Sequence, residues 1–214
     1  MEIFPHKVEE LLGRTRFART QFYTFGTTTA GSAFYKDKIR VQAYRRGDDD
    51  LPYVRLDLSV IRPLAWRSLG IAVRLSDARE LVRLLAEVTQ YFDAVEKSPL
   101  CSEYSHEEPI FTQLVDWFKR TTRDGIILHS PGTIIVQRDV AEHRLCIQAF
   151  RRRRNFAPYT RLHLSATTPL SYQWLSVTIG LEGARELIWL VEQAINHFDK
   201  NGSVKASHHP ACRT

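Results

Sequence analysis

Cysteine is scarce in this chain. It has three, Cys101, Cys146 and Cys212, with no paired spacing. That excludes a disulfide framework and sets the expectation of a reducing compartment. Long apolar runs are missing too. None approaches the roughly 20 residues that span a bilayer, so no membrane partner is expected. The first residues, MEIFPHKVEELLGR, are too acidic and polar for a signal peptide. An intracellular setting (cytoplasm, nucleoid or nucleus) is the expectation. No glycine-rich phosphate loop, nucleophile elbow or zinc-ligand spacing occurs. Acid is in deficit: 24 Asp and Glu against 30 Lys and Arg, a net charge of +6 and a pI near 9.4. Such a balance suits a polyanionic partner, and where the charge sits matters more than its sum.

What the chain does contain is a repeat. Residues 42–93 align without a gap on 148–199, an offset of 106, with 21 of 52 positions identical. The chain is therefore one unit written twice. The copies occupy 1–95 and 109–200. Between them, 96–108 (EKSPLCSEYSHEE) is polar, carries a proline and has no period, which makes it a linker. The segment 201–214 is expected to be a disordered tail.

Each copy starts with a short helix, 5–16 and 111–123, where Val8, Leu11 and Leu12, then Leu114, Val115, Trp117 and Phe118, fall at helical spacing. A first strand follows at 20–26, with 126–132 as its copy, each stopping at a glycine. A second strand, 33–46, alternates Ile39, Val41 and Ala43 with Arg40, Gln42, Tyr44 and Arg46. The turn Gly47-Asp48-Asp49-Asp50 leads to a third strand, 53–60, with Val54, Leu56, Leu58 and Val60 inward. Pro63 marks a bend or an edge. A fourth strand, 69–75, points Ile71, Val73 and Leu75 inward. Ser76 caps a helix to residue 95, striped by Ala78, Leu81, Val82, Leu85, Val88, Phe92 and Val95. Ala184, Leu187, Ile188, Val191, Ala194, Ile195 and Phe198 repeat that stripe. The expected fold is α+β: two tandem ββββα repeats related by a pseudo-two-fold, each a four-stranded antiparallel sheet with a long helix on one face.

The other face carries the chemistry. Its residues return in the second copy as specific types: Gln42, Tyr44 and Arg46 as Gln148, Phe150 and Arg152; Tyr53 and Arg55 as Tyr159 and Arg161; Ser59 as Ser165. A merely solvated face would drift toward Lys, Glu and Thr. Rings beside guanidinium groups on an open sheet form a stacking platform with phosphate clamps, and unpaired bases are what such a platform takes. The run 151–154 adds four arginines, so the second copy is expected to grip phosphates harder. The candidate binding residues are Gln42, Tyr44, Arg46, Tyr53, Arg55, Gln148, Phe150, Arg152, Arg153, Tyr159 and Arg161.

The stretch 41–95 runs Val-Gln-Ala-Tyr-Arg-Arg, turn, Leu-Pro-Tyr, strand, Gly-Ile-Ala-Val-Arg-Leu-Ser, helix. With four strands and a long helix in each copy, it resembles the single-strand binders that include transcriptional positive cofactor four, the plant Whirly proteins and Pur-alpha. In positive cofactor four a similar basic-aromatic strand precedes a turn, a Gly-Ile strand and an amphipathic helix. Tandem copies in one chain are similar to Whirly and Pur-alpha. The resemblance covers most of both copies. It implies binding of single-stranded DNA or RNA, a setting in transcription regulation, no catalysis, and dimers or higher assemblies.

The alternative is a protein-interaction module whose Tyr-and-Arg faces are buried between the repeats or between chains, since both residues are enriched at interfaces. A nucleic-acid-processing enzyme would need a carboxylate cluster that the sequence lacks. Asp48, Asp49 and Asp50 suit a hard cation, but their copy is Arg154-Asn155-Phe156, so a solvated turn is favoured. His208, His209 and Cys212 fall in the tail with no fourth ligand. Asp57 becomes His163 on the outward face, without a catalytic partner, and Cys146 is read as an inert thiol. No cofactor and no metal is expected.

Overall fold

The computed structural model describes residues 22–31, 36–45, 51–97, 121–122, 125–138, 140–152 and 158–206. The helix at 5–16, its copy up to residue 120, the turn at 47–50, the linker beyond residue 97 and the tail beyond residue 206 lie outside them. So do Arg46, Cys101, Arg153, His208, His209 and Cys212.

Two antiparallel sheets, each followed by a helix, form the described body. Strands β1 (Phe22–Gly31), β2 (Lys36–Arg45), β3 (Pro52–Arg62) and β4 (Ala65–Arg74) lie in chain order in the first sheet, and α1 (Leu75–Lys97) follows. In the second sheet β6 (Gly125–Arg138), β7 (Ala141–Arg152), β8 (Pro158–Thr168) and β9 (Ser171–Gly180) repeat the order, and α2 (Leu181–Ala206) follows. A two-residue strand β5 (Thr121–Thr122) pairs onto β6, where the pattern gave the end of a helix. Helix α2 runs past Asn201, where the pattern started the tail.

The strand alternation is as the sequence gives it. Ile39, Val41, Ala43, Val54, Leu56, Leu58, Ile71 and Val73 are buried, and Val60 packs at the rim. Both first strands, however, run on past the glycine at which the pattern stops them. In β1 the register slips between Thr24 and Gly26, a bulge that lets the strand continue to Gly31. The helices begin directly at Leu75 and Leu181, so Ser76 sits within the first turn and its hydroxyl meets Asp77 at 3.4 Å. Asp77 and Glu182 put negative charge at the helix starts, where the macrodipole favours it.

Helix position is where the repeats depend on one another. Helix α1 touches β3 and β4 of its own repeat and packs more heavily on β6 and β7 of the other. Helix α2 touches β8 and β9 and packs more heavily on β1 and β2. The close approaches come in mates 106 residues apart. A Cβ at Gly26 would lie 2.7 Å from Leu190 Cδ2, and one at Gly132 would lie 2.9 Å from Leu84 Cδ2. Each glycine leaves room for the leucine that the helix presses onto the opposite sheet. Tyr23 on β1 meets His197 on α2 at 4.3 Å between ring centroids. Its mate, His129 on β6, meets Tyr91 on α1 at 5.1 Å, with the two residue types exchanged. Leu84, Leu190 and the helix stripes join both sheets in one core, each buried leucine contributing about 1.5–3 kcal/mol.

Candidate functional site

The outward faces are assembled from cross-strand rows. On the first sheet one row reads Phe22, Tyr44, Tyr53, Arg74, and the next Thr24, Gln42, Arg55, Ala72. Then come Thr27, Arg40, Asp57, Gly70; Thr29, Lys38, Ser59, Ser68; and Gly31, Lys36, Ile61, Trp66. On the second sheet Phe150, Tyr159 and Gly180 share a row, as do Gln148, Arg161 and Thr178. Cys146, His163 and Ser176 follow, then Arg144, Ser165 and Trp174, then Glu142, Thr167 and Tyr172. The alternation thus brings Gln42, Tyr44, Tyr53 and Arg55 together on one face, and Gln148, Phe150, Tyr159 and Arg161 on the other. Arg152 ends β7.

The rings do not all lie open. Tyr44 is stacked between Phe22 (5.2 Å, 28°) and Tyr53 (5.6 Å, 20°) and is only 7% exposed. Phe150 is 2% exposed, with the Arg161 guanidinium 5.3 Å from its centroid. Both central rings therefore act as the filling of a row. Tyr53 and Tyr159 are half-buried. The open rings are Phe22 (53%), Trp66 (57%), Tyr172 (61%) and Trp174 (51%). Three of these lie on β4 and β9 at the far end of each sheet. Carrying the alternation of Ile71 and Val73 back toward residue 65 would have put Trp66 on the outward face. The same count back from Val177 finds Tyr172 and Trp174.

Charge is unequal between the faces. The first carries Lys36, Lys38, Arg40, Arg55 and Arg74 against Asp57, which is ion-paired to Arg55 at 2.8 Å. Gly70, opposite Asp57, leaves room for that pair, since a Cβ there would lie 2.6 Å from the carboxylate. The described part of the second face carries Arg144, which is paired with Glu142, and Arg161. Among the described residues the first face shows more cationic side chains, while most side chains of the 151–154 arginine run, on which the second copy's stronger grip is expected, lie outside them. Arg144 is held charged by the hydrogen bond to Glu142. At the swapped position, His163 Nδ1 lies 2.7 Å from the Ser176 hydroxyl, and Arg161 donates to that oxygen at 3.3 Å. Burial first, and the neighbouring Arg161 second, push the His163 imidazole below its ordinary range.

Gln42 donates to Thr24 Oγ1 at 3.2 Å. Among the described residues no group of three or more His, Cys, Asp or Glu side chains converges as a metal site. Cys146 is a free thiol, 3.5 Å from the Ser130 hydroxyl. No described helix is long and apolar enough to cross a membrane.

No family model matches the chain, and no curated protein matches it. Among solved structures it is similar to the crystal structure of WHY1 from Arabidopsis thaliana, with a TM-score of 0.45 and 7% sequence identity, over 91% of this chain and 98% of that one.

Proposed function

We propose that this protein binds single-stranded nucleic acid across its outward sheet faces, without catalysis and without a cofactor. The observation that carries this reading is the pairing of open rings with cationic rows. Lys36, Lys38 and Arg40 follow one another along one face of β2, about 7 Å apart at two-residue spacing. That spacing suits successive phosphates of an extended strand. Trp66 shares the row of Lys36, two strands away, and Phe22 stands two rows beyond Arg40 beside Tyr44, each more than half exposed. Bases stack on such rings at about 1–3 kcal/mol each. A duplex hides its base faces and gains nothing from them.

The roles first read from the sequence are redistributed accordingly. Tyr44 and Phe150 hold the rows in shape. Tyr53 and Tyr159 offer partial ring surface, and Gln42 and Gln148 offer amides to base edges. Arg55 and Arg161, with Arg46, Arg152 and Arg153, supply the cations for the backbone of a bound strand. Titration of labelled single-stranded and duplex oligonucleotides, DNA and RNA, at low salt tests the reading. Tighter binding of the single strand is expected. Equal affinity for both forms, or binding of neither, overturns it.

A second reading rests on a different observation. Leu64 and Leu170, at the tips of the β3–β4 and β8–β9 hairpins, are 101% and 98% exposed beside the open rings. Apolar tips at mated positions favour association with another protein surface. Sedimentation of Leu64→Ser/Leu170→Ser against the unaltered chain separates the two: lost assembly with intact oligonucleotide binding assigns the tips to association alone.

A further inference from the structure

The two repeats differ at one mated position, and the difference leaves a cleft. In the first repeat Asp37 is 5% exposed and reaches across to the second sheet. Its Oδ1 accepts from Arg62 at 3.0 Å, and its Oδ2 accepts from the Thr178 backbone N–H at 3.0 Å. Strand β9 is an edge strand, so that N–H points away from β8 and would otherwise lack a sheet partner. A buried carboxylate caps it.

The mate of Asp37 is His143, and the mate of Thr178 is Ala72. The register is the same in both sheets: Arg161 faces Thr178 and Arg55 faces Ala72. The Ala72 N–H therefore points off the free edge of β4, as the Thr178 N–H points off β9. In place of the Asp37 carboxylate, the mated position there holds the imidazole of His143. A cleft of about 200 Å³ lies there instead, lined by Tyr44, Arg55, Gly70, Ala72, Val136 and His143. The His143 Nδ1 atom is buried and has no hydrogen-bond partner. A volume near 200 Å³ exceeds several waters, at about 30 Å³ each in the liquid. The cleft thus gathers a guanidinium, an imidazole nitrogen and an edge N–H, all able to donate to an oxyanion.

We infer that this cleft is a site for a small oxyanion, a carboxylate or a phosphate group, seated as the Asp37 carboxylate is seated in the mated position. The oxyanion accepts from the Ala72 N–H and from the His143 imidazole, while the Arg55 guanidinium, whose Nε already meets Asp57 at 2.8 Å, offers its remaining N–H groups. The inference shares Arg55 with the nucleic-acid reading but is decided by the Ala72 N–H and His143, to which that reading gives no role, so the two can fail separately.

The test is a two-dimensional amide titration of the full chain with sodium phosphate and, separately, sodium acetate, against sodium chloride at matched ionic strength. A saturable shift of the Ala72 amide with either anion and not with chloride is expected, and the anion that produces it names the source. His143→Ala should weaken that binding by about tenfold or more, the effect of losing a hydrogen bond to a charged group. His143→Asp rebuilds the mated arrangement and should abolish the titration while leaving the dispersed spectrum of a folded chain. Absence of a saturable Ala72 shift with both anions overturns the inference, as does an unaltered titration in both variants.

Discussion

Arg79 on α1 donates to Asp199 on α2 at 2.9 and 3.0 Å, and Arg185 on α2 donates to Asp93 on α1 at 3.1 Å. The two pairs are the same pair, 106 residues apart. They hold α1 against α2 from both sides of a pseudo-two-fold. All four side chains are about half exposed, so each pair contributes at most ~1 kcal/mol. Burial of each helix on the other repeat's sheet supplies the larger share.

From that exchange comes the first prediction. A fragment of residues 1–98 has a helix whose heavier contact, β6 and β7, is missing. Two such fragments can supply each other's missing half, since Leu84 and Gly26 are mated to Leu190 and Gly132. Sedimentation of the fragment should show a dimer. A stably folded monomer would contradict the account of the helix exchange.

Gly26 gives the second. An added Cβ would collide with Leu190, which is 3% exposed and has little room to yield. Gly26→Ala should cost about 1–3 kcal/mol, the usual penalty for overpacking a core. Leu190→Val in the same chain should return part of it. A double-mutant cycle by urea denaturation measures the coupling, and additive losses would remove the proposed contact.

The third concerns the rings. Trp66 and Trp174 are more than half exposed, so Trp66→Ala and Trp174→Ala should leave stability nearly unchanged. Each should weaken single-strand binding by about 1–3 kcal/mol. Tyr44 and Phe150 are buried, and Phe150→Ala should instead cost about 3–5 kcal/mol of stability. Paired thermal melts and binding titrations separate the two classes.

The fourth is a pH dependence at His163. Its folded-state value is depressed, by burial first and Arg161 second, so the neutral ring is favoured in the fold. The sign follows. Its contribution to stability is fully present above the ordinary imidazole value of about 6.5 and is lost as pH falls through the lower folded value. The urea midpoint should drop between about pH 7 and about pH 5 in the unaltered chain, and His163→Gln should drop less. An equal drop in both would place the effect elsewhere.

Much of the fold was legible because a two-residue period and a helical period, each written twice, leave few assignments open. Ile39, Val41, Leu56 and Leu85 are core residues in both descriptions. The stop assigned at Gly26 was misplaced because a glycine that ends a strand and one that admits Leu190 look alike in sequence. Which sheet a helix covers is also silent there: the stripe through Leu81, Leu85 and Phe92 is apolar whichever surface it meets. The site was legible as a face but not in its depth. Alternation put Tyr44 outward, yet neighbouring rings on both sides of it decide that it is buried. Trp66 and Trp174 obey the same alternation at the strand starts, beyond the stretch in which the core pattern is strong.

The most direct test of the central claim is the salt dependence of single-strand affinity in the unaltered chain and in Lys38→Ala/Arg40→Ala. Each phosphate contact to a single strand contributes about 0.7 to the slope of log affinity against log salt. The double variant should keep its fold and show a slope shallower by about 1.4. A slope that does not change would contradict the claim that a strand's phosphates lie along β2.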